Sequence, residues 1–355
     1  MTANLKIYAR NLEQVAAEQI ELLAAQPAFE GATIRIMPDA HAGTGCVIGF
    51  TADLGEKIVP NLVGVDIGCG MLTVEMELPD DLAGFDECVK RVVPAGFASH
   101  DRETCDVTQL GLLCEGELKK VERLNRSLGT LGGGNHFIEL DVAGNRAYLV
   151  IHSGSRNLGL QVANAYQRKA LAECLDDVPD ALKYLTGELA EAYLHDMRIC
   201  QQWARDNREA MARAIIHALG IEEVRESFHT VHNYIADDNI IRKGAISARA
   251  GERVLIPFNM RDGAAICIGK GNEDWNCSAP HGAGRLMSRS AAFERLTMAE
   301  YEAEMAGIYS TCVVPDTLDE SPMAYKSMDE IVENIEPTAE IVCRIKPIYN
   351  FKAAD

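Results

Sequence analysis

The chain has 355 residues, 47% of them hydrophobic, enough to bury a large core, and 53 acidic against 34 basic side chains leave a formal charge of −19. That balance argues against the broad phosphate-coating surface of nonspecific nucleic-acid binders, so an anionic polymer would need a local basic groove, while an acidic surplus also serves solubility. No run approaches the ~18 uninterrupted apolar residues of a membrane span, the opening MTANLKIYARNLEQ lacks the apolar core of a signal peptide, and 11 scattered cysteines read as reduced thiols, so a cytoplasmic protein with no membrane partner is expected.

From about residue 31 to 78, short apolar runs broken by glycine, ATIRIMPDAHAGTGCVIGF and KIVPNLVGVDIGCGMLTVEMEL, read as strands and tight turns. Residues 80–127 suit a charged helical reading, after which LGTLGGGNHFIELDVAGNRAYLVIHSGS returns to glycine loops and strands. The longest helical block runs from about Thr186 to Leu219, with apolar residues recurring at three and four, and its His195 and His217 read as ordinary helix histidines. VHNYIADDNIIRKGAISARAGERVLIPFNM and AAICIGKG are strand-like, SAPHGAGRLMSRSAAF reads as a glycine loop running into a helix, and AEIVCRIKPIYNFKAAD alternates like a strand. With no internal repeat, low-complexity linker or Pro/Ser-rich boundary, the expectation is a single α/β (mixed α+β) domain over 1–355, sheets flanked by helices, with the helical block 186–219 inserted within it.

The polar residues that carry chemistry gather on the glycine loops. Of 9 histidines, His41, His136, His152 and His281 lie in glycine-bearing or turn contexts, and His232 follows a predicted strand. In GVDIGCGM, Asp66 and Cys69 stand three apart in a turn that can aim both side chains at one point. A thiolate with imidazoles suits a borderline divalent ion, a carboxylate widens the choice toward manganese, and a sulfur can bridge two ions. In SAPHGAGR, the glycines around Ala283 free backbone N–H groups to converge on an anion, and Arg285 adds a planar fork suited to phosphate, so a phosphate held there would sit beside His281. Each loop alone could be a bare turn whose polar residue is structural; their co-occurrence at the ends of apolar runs is what points to a site.

The segments MPDAHAGTG, GVDIGCGM, GGGNHFIEL, IHSGSRNLG, VHN, RKGA and HGAGR, in this order, with DESPMAYK near the end, resemble the RtcB family of RNA ligases. The resemblance implies joining of RNA ends that carry a 3′-phosphate or 2′,3′-cyclic phosphate to ends that carry a 5′-hydroxyl, with GTP and two Mn²⁺ ions, and an archease-like activator as a possible partner. Carried over position by position, Asp66, Cys69, His136, His152 and His232 are similar to the metal ligands, with the Cys69 sulfur shared between the ions, and His281 resembles the nucleophile. Asn135 and Glu139 resemble nucleotide contacts, Ala283 and Gly284 lie in the turn whose amides would hold the nucleotide phosphate, and Tyr325 and Lys352 resemble residues that face guanine. Arg156, Lys243, Arg285 and Arg289 are similar to phosphate-handling positions.

The chain departs from the family pattern where a Pro-Gly-Ser-Met-Gly type of loop is replaced by IPFNMRDGAAICIGKGN, with Phe258, Asn259, Arg261 and Asp262 in its place, where Ala42 replaces a bulkier residue, and where AAD follows Lys352. An arginine in that loop could grip a phosphate of the RNA acceptor, or Arg261 and Asp262 could pair with each other and replace the loop structurally. Two other functional readings use the same residues: a metal-dependent enzyme that stops at RNA end processing, and a metal-stabilised RNA-binding accessory protein without catalysis.

Overall fold

The computed structural model describes residues 3–353. Fourteen strands form among them: β1 (Asn4–Ile7), β2 (Thr33–His41), β3 (Ile48–Asp53), β4 (Gly70–Met76), β5 (Phe137–Ala143), β6 (Arg146–Ser153), β7 (Val224–Val231), β8 (Asn233–Ile235), β9 (Ile240–Lys243), β10 (Ala245–Ser247), β11 (Arg253–Asn259), β12 (Gly263–Gly269), β13 (Ser278–Pro280) and β14 (Ala339–Phe351). They build a seven-stranded sheet in the order β11-β12-β14-β5-β6-β4-β7, a five-stranded sheet in the order β1-β2-β3-β9-β8, and the two-stranded pair β10-β13. The mixed α and β content, with helices against the sheets, agrees with the class read from the sequence.

The strand text behaves as period-two packing requires. All seven residues of β4 are buried, as befits a strand with neighbours on both sides and covered faces, whereas β14 alternates buried and exposed positions through its first half. One apolar core lies beneath the helices Gln14–Ala24, Arg156–Glu173 and Gly187–Leu219 and includes Ile34, Ile36 and Phe50 of the five-stranded sheet. A second joins Leu72, Val74, Leu140, Leu149 and Ile151 of the seven-stranded sheet to Phe85 and Val89 of the helix Leu82–Val92 and to Met211 and Ile215.

The helix Gly187–Leu219, whose 33 residues correspond to about 50 Å, ends at Gly220, which takes the left-handed conformation that closes a helix at little cost (φ +66°). Its buried positions recur every three or four residues and include three polar ones, Asp196, Asn207 and Arg208. Asp196 accepts from the amides of Leu113 and Cys114, Asn207 from those of Gly129 and Thr130, so this helix fixes loops as well as core. His195 lies half-exposed on the same helix against Asp196, as an ordinary helix residue would.

The helical expectation for 80–127 holds only for Leu82–Val92 and the short turn Val121–Asn125. Pro94 cannot continue a helix, and Gly96 and Gly111 adopt positive φ, so the intervening chain runs as loops and single 3₁₀ turns. Several helices had no sequence signal assigned to them, among them Gln14–Ala24, Arg156–Glu173, Met298–Glu304 and Met328–Ile335; Arg156–Glu173 begins inside the glycine text IHSGSRNLG, which hides its start. The glycine loop after β13 does run into a helix, Arg289–Arg295.

Candidate functional site

Strand register brings the metal-competent side chains together. In the order β5-β6-β4-β7, Phe137 pairs with His152, Met71 pairs with His152 from the other side, and Gly70 pairs with both Ser153 and Val231. His136 precedes β5, His152 lies near the end of β6, Cys69 precedes β4 and His232 follows β7, so four neighbouring strands deliver four side chains to one end of the sheet. The turn carrying Asp66 is closed by the Cys69 amide donating to the Asp66 carbonyl at 3.2 Å, and the Cys69 carbonyl accepts from the His232 amide at 2.9 Å. A β-carbon at position 154 would collide with the Asp66 carboxylate at 2.1–2.6 Å, so glycine there is what lets the carboxylate reach the cluster.

Two donor triads result, Asp66, Cys69 and His136, and Cys69, His152 and His232, each with its ligand atoms within 4.8 Å of one another, and they share the Cys69 sulfur. That sulfur lies 3.5 Å from His136 Nε2 and 3.3 Å from His152 Nε2, while His136 Nε2 is 3.0 Å from the Asp66 carboxylate. The second nitrogen of two rings faces away from the cluster: His136 Nδ1 lies 3.0 Å from the Leu131 carbonyl and 3.2 Å from Arg156 Nη1, and His152 Nδ1–H donates to the Asn135 carbonyl at 3.1 Å, which turns the Nε2 of both rings toward the cluster. His152 and His232 nonetheless present their Nε2 atoms to each other at 3.1 Å.

Burial, followed by neighbouring imidazoles, holds His152 far below its ordinary value, and burial followed by the proximity of the His281 imidazole lowers His232 to about 3, so both rings are neutral. Burial and then the Asp66 charge push the Cys69 thiol well up, and a thiolate there requires cations to balance it. Soft sulfur, neutral imidazoles and one carboxylate in two sets around a common sulfur fit a pair of divalent transition ions.

Beside the cluster opens a cavity of about 570 Å³. Its lining includes His152, His232, His281, Asn135, Glu139, Ala283, Gly284, Arg285, Arg289, Tyr325 and Lys352 of the residues singled out by sequence. His281 follows β13, outside the seven-stranded sheet, and its ring centroid stands 5.1 Å from that of His232. The fully buried Asp39 of β2 receives both the His281 amide (3.1 Å) and its Nδ1–H (2.7 Å) on one carboxylate oxygen. The imidazole is thereby fixed as the tautomer with a free Nε2. Gly284, at φ +69°, lies so close to the Asp39 backbone that a β-carbon would meet its carbonyl oxygen at 2.5 Å.

At the other side of the cavity a single buried carboxylate organises the cations. Glu320 accepts from Tyr325 Oη (2.6 Å), Lys352 Nζ (2.9 Å) and Arg289 (2.9 Å), and lies 3.3 Å from Arg285; Arg289 also reaches Asp319 at 2.6 Å. Glu139 pairs across β5 and β14 with Asn350, whose amide donates to it at 2.6 Å, and burial raises the Glu139 carboxyl to about 7.

Two expected phosphate-handling residues are not in the cavity lining. The Arg156 guanidinium lies flat over Gly132, 3.2 Å from His136 Nδ1, and Lys243 Nζ donates to the Asn61 carbonyl at 3.0 Å, beneath the loop that leads to Asp66. The departing segment is a hairpin: Phe258 and Asn259 end β11, Gly263 starts β12, and Arg261 makes a two-pronged ion pair with Asp262 at 2.8 and 2.7 Å and a further one with Glu304. Arg261 is thus held in a structural pair, and it is Phe258 and Asn259 that face the cavity. The sequence reading missed Asp39, Glu320 and Arg208. Asp39 and Glu320 lay within quoted segments, MPDAHAGTG and DESPMAYK, where an acid inside a motif, Asp39 between Pro38 and Ala40 and Glu320 next to Asp319, was the available signal.

Residues 19–118 and 115–353 match the family described as tRNA-splicing ligase RtcB. The RNA-splicing ligase RtcB of Escherichia coli K12 is 32% identical over 367 residues, covering 90% of each chain. The tRNA-splicing ligases RtcB of Nanoarchaeum equitans and Aeropyrum pernix are 27% and 28% identical, over 89% and 88% of this chain and 87% and 86% of their own. Both donor triads and His281 fall inside the matched residues, and the chain belongs to the family of the tRNA-splicing ligase RtcB.

Proposed function

We propose that the protein is a GTP- and manganese-dependent RNA ligase that joins 3′-phosphate or 2′,3′-cyclic phosphate ends to 5′-hydroxyl ends through a guanylylated His281. The observation that carries the reading is the position of His281, tautomer-locked by Asp39, inside the same cavity as the shared-sulfur donor set. Asp66, Cys69, His136, His152 and His232 would hold two manganese ions, which when bound offset charge on phosphate groups. His281 Nε2 attacks the α-phosphorus of GTP, forming a P–N bond as pyrophosphate leaves, and Asp39 balances the positive charge that develops on the ring. An RNA 3′-phosphate oxygen then takes the GMP from His281, and the 5′-hydroxyl displaces it to close the phosphodiester.

For the nucleotide, Asn135 and Glu139 sit on one wall, the amides at Ala283 and Gly284 suit its phosphate, and Tyr325 and Lys352 suit the base. Arg285 and Arg289 supply cationic forks at the cavity, while Arg156 and Lys243 act from behind it, through the His136 ring and the loop before Asp66. The same reading makes 1–355 one catalytic unit, with an archease-like activator as a partner and the cytoplasm as its location; all 11 cysteines are unpaired, as a reducing compartment would keep them. No helix of the described residues is long and apolar enough to cross a membrane.

The test is incubation with α-labelled GTP and Mn²⁺ followed by denaturing electrophoresis. The wild type should retain label in an acid-labile, alkali-stable bond and His281→Ala should not; label on the variant would remove His281 from the reaction.

A further inference from the structure

A second cavity, of about 320 Å³, shares no lining residue with the first. One wall is a face of the helix Gly187–Leu219 that carries Arg198, Arg205 and Arg208 at spacings of seven and three, and the other includes His229 of β7, Tyr234 of β8 and Glu252. Three guanidinium groups around one concavity are unusual for a chain of charge −19.

Arg208 is the decisive residue. It is 0% exposed and takes part in no ion pair among the described residues. Its Nη1 donates to the carbonyls of Gly68 (2.9 Å) and Ser153 (2.7 Å), its Nε points to His229 Nδ1 at 3.5 Å, and its Nη2 is buried without a hydrogen-bond partner. All three acceptors are neutral. Of the acidic groups whose charge reaches Arg208, Cys69 and Asp66 belong to the donor cluster, with Asp66 3.0 Å from His136 Nε2, and Glu209 is engaged by Arg205, Arg213 and His229. Glu252 turns to Ser247 Oγ (2.5 Å) and the Arg249 amide (3.0 Å). A buried guanidinium held rigidly by neutral groups, with one nitrogen unused, is a charge prepared for an anion that would bring its own oxygens. Arg198, 3.7 Å from the exposed Asp237, and Arg205, paired through Nε with Glu209 at 3.2 Å, stand half-exposed at the rim and keep further N–H groups as donors.

We infer that this cavity is a second anion site that takes a phosphate group, bound by Arg208 at its floor and by Arg198 and Arg205 at its mouth. The inference is independent of the proposed ligase chemistry, since it uses none of the same residues. The site has a built-in link to the donor cluster: the two carbonyls that Arg208 holds belong to the residues adjoining Cys69 and His152 in the chain. The phosphate can come from a free ion or from an RNA backbone, and the experiment separates the two.

Purified full-length protein is titrated calorimetrically with inorganic phosphate, and in parallel with a short oligoribonucleotide bearing hydroxyl groups at both ends. The Arg198→Ala/Arg205→Ala double variant changes only half-exposed side chains and keeps the fold testable, as Arg208→Ala would not; Arg289→Ala, in the larger cavity, locates any binding elsewhere. The inference expects phosphate to bind the wild type and Arg289→Ala alike and the double variant at least tenfold more weakly. If phosphate alone does not bind but oligoribonucleotide affinity falls tenfold in the double variant, the site stands and its anion is a backbone phosphate. Equal affinities of both ligands for wild type and double variant, loss confined to Arg289→Ala, or no binding of either ligand overturns it.

Discussion

At the scale of single residues, the site works by committing one end of each imidazole so that the other is free. His152 spends Nδ1–H on a backbone carbonyl, His281 spends it on the buried Asp39, and His136 Nδ1 sits between the Leu131 carbonyl and Arg156. Asp39→Asn keeps the volume but removes the charge and permits the wrong tautomer, so His281 guanylylation should slow about a hundredfold or more, with a shifted pH profile and an unchanged thermal midpoint; an unchanged rate would mean that Asp39 only shapes the loop. Glu139 gives a pH test. Burial raises its folded carboxyl to about 7 against an ordinary 4.5, so the folded state holds the proton more tightly and stability falls as pH rises through that window. Glu139→Gln cannot titrate. Urea unfolding at about pH 5 and about pH 8 should show the variant gaining on the wild type at the higher pH, and a constant difference would contradict the buried-acid account. Asp39 and Glu320 escaped the sequence reading because a single acid inside a motif does not announce which distant side chain it will meet; their partners come from 242 and 32 residues away.

Among the elements, legibility followed the glycine. β2, β4, β6 and β14 were readable because apolar runs of strand length end at turn residues, and the long helix because its period persists over 33 residues. The helix Arg156–Glu173 was not, since Arg156 itself has φ +56° and the preceding SGS text reads as loop. The donor residues were legible as types in turns, yet their convergence depended on the non-sequential order β5-β6-β4-β7, which no local pattern specifies. The hairpin between β11 and β12 shows how a departure from family text can be self-contained: Arg261 is consumed by Asp262 and Glu304, and Asp262 also accepts from Asn259 at 2.8 Å. Arg261→Ala should therefore leave both self-guanylylation and RNA joining within about twofold and cost no more than ~1 kcal/mol of stability, as exposed pairs do. Loss of joining with normal guanylylation would instead give Arg261 a role at the RNA acceptor.

On the scale of the whole molecule, an acidic protein sets three cationic side chains at each of two concavities and ties distant segments together at each. The donor cluster draws on residues from 66 to 232, so an ion bound there crosslinks the fold, and saturating Mn²⁺ at a hundredfold excess over its dissociation constant should add about 2.7 kcal/mol per site. Cys69→Ala should lose both this thermal stabilisation and most of the manganese measured on the purified protein, whereas Cys267→Ala, buried in a separate core, should keep its manganese. Equal metal content in the two variants would take the sulfur out of the cluster. β14 has one more consequence. Its first half pairs with β12 and its second with β5, and it carries Asn350 while leading straight to Lys352. The two halves of the seven-stranded sheet are therefore joined by a strand that emerges from the ribosome after both. Until residues 350 and 352 are synthesised, Glu139 lacks its Asn350 partner and the cation set around Glu320 lacks Lys352, so an unfinished chain on the ribosome cannot assemble a complete nucleotide cavity.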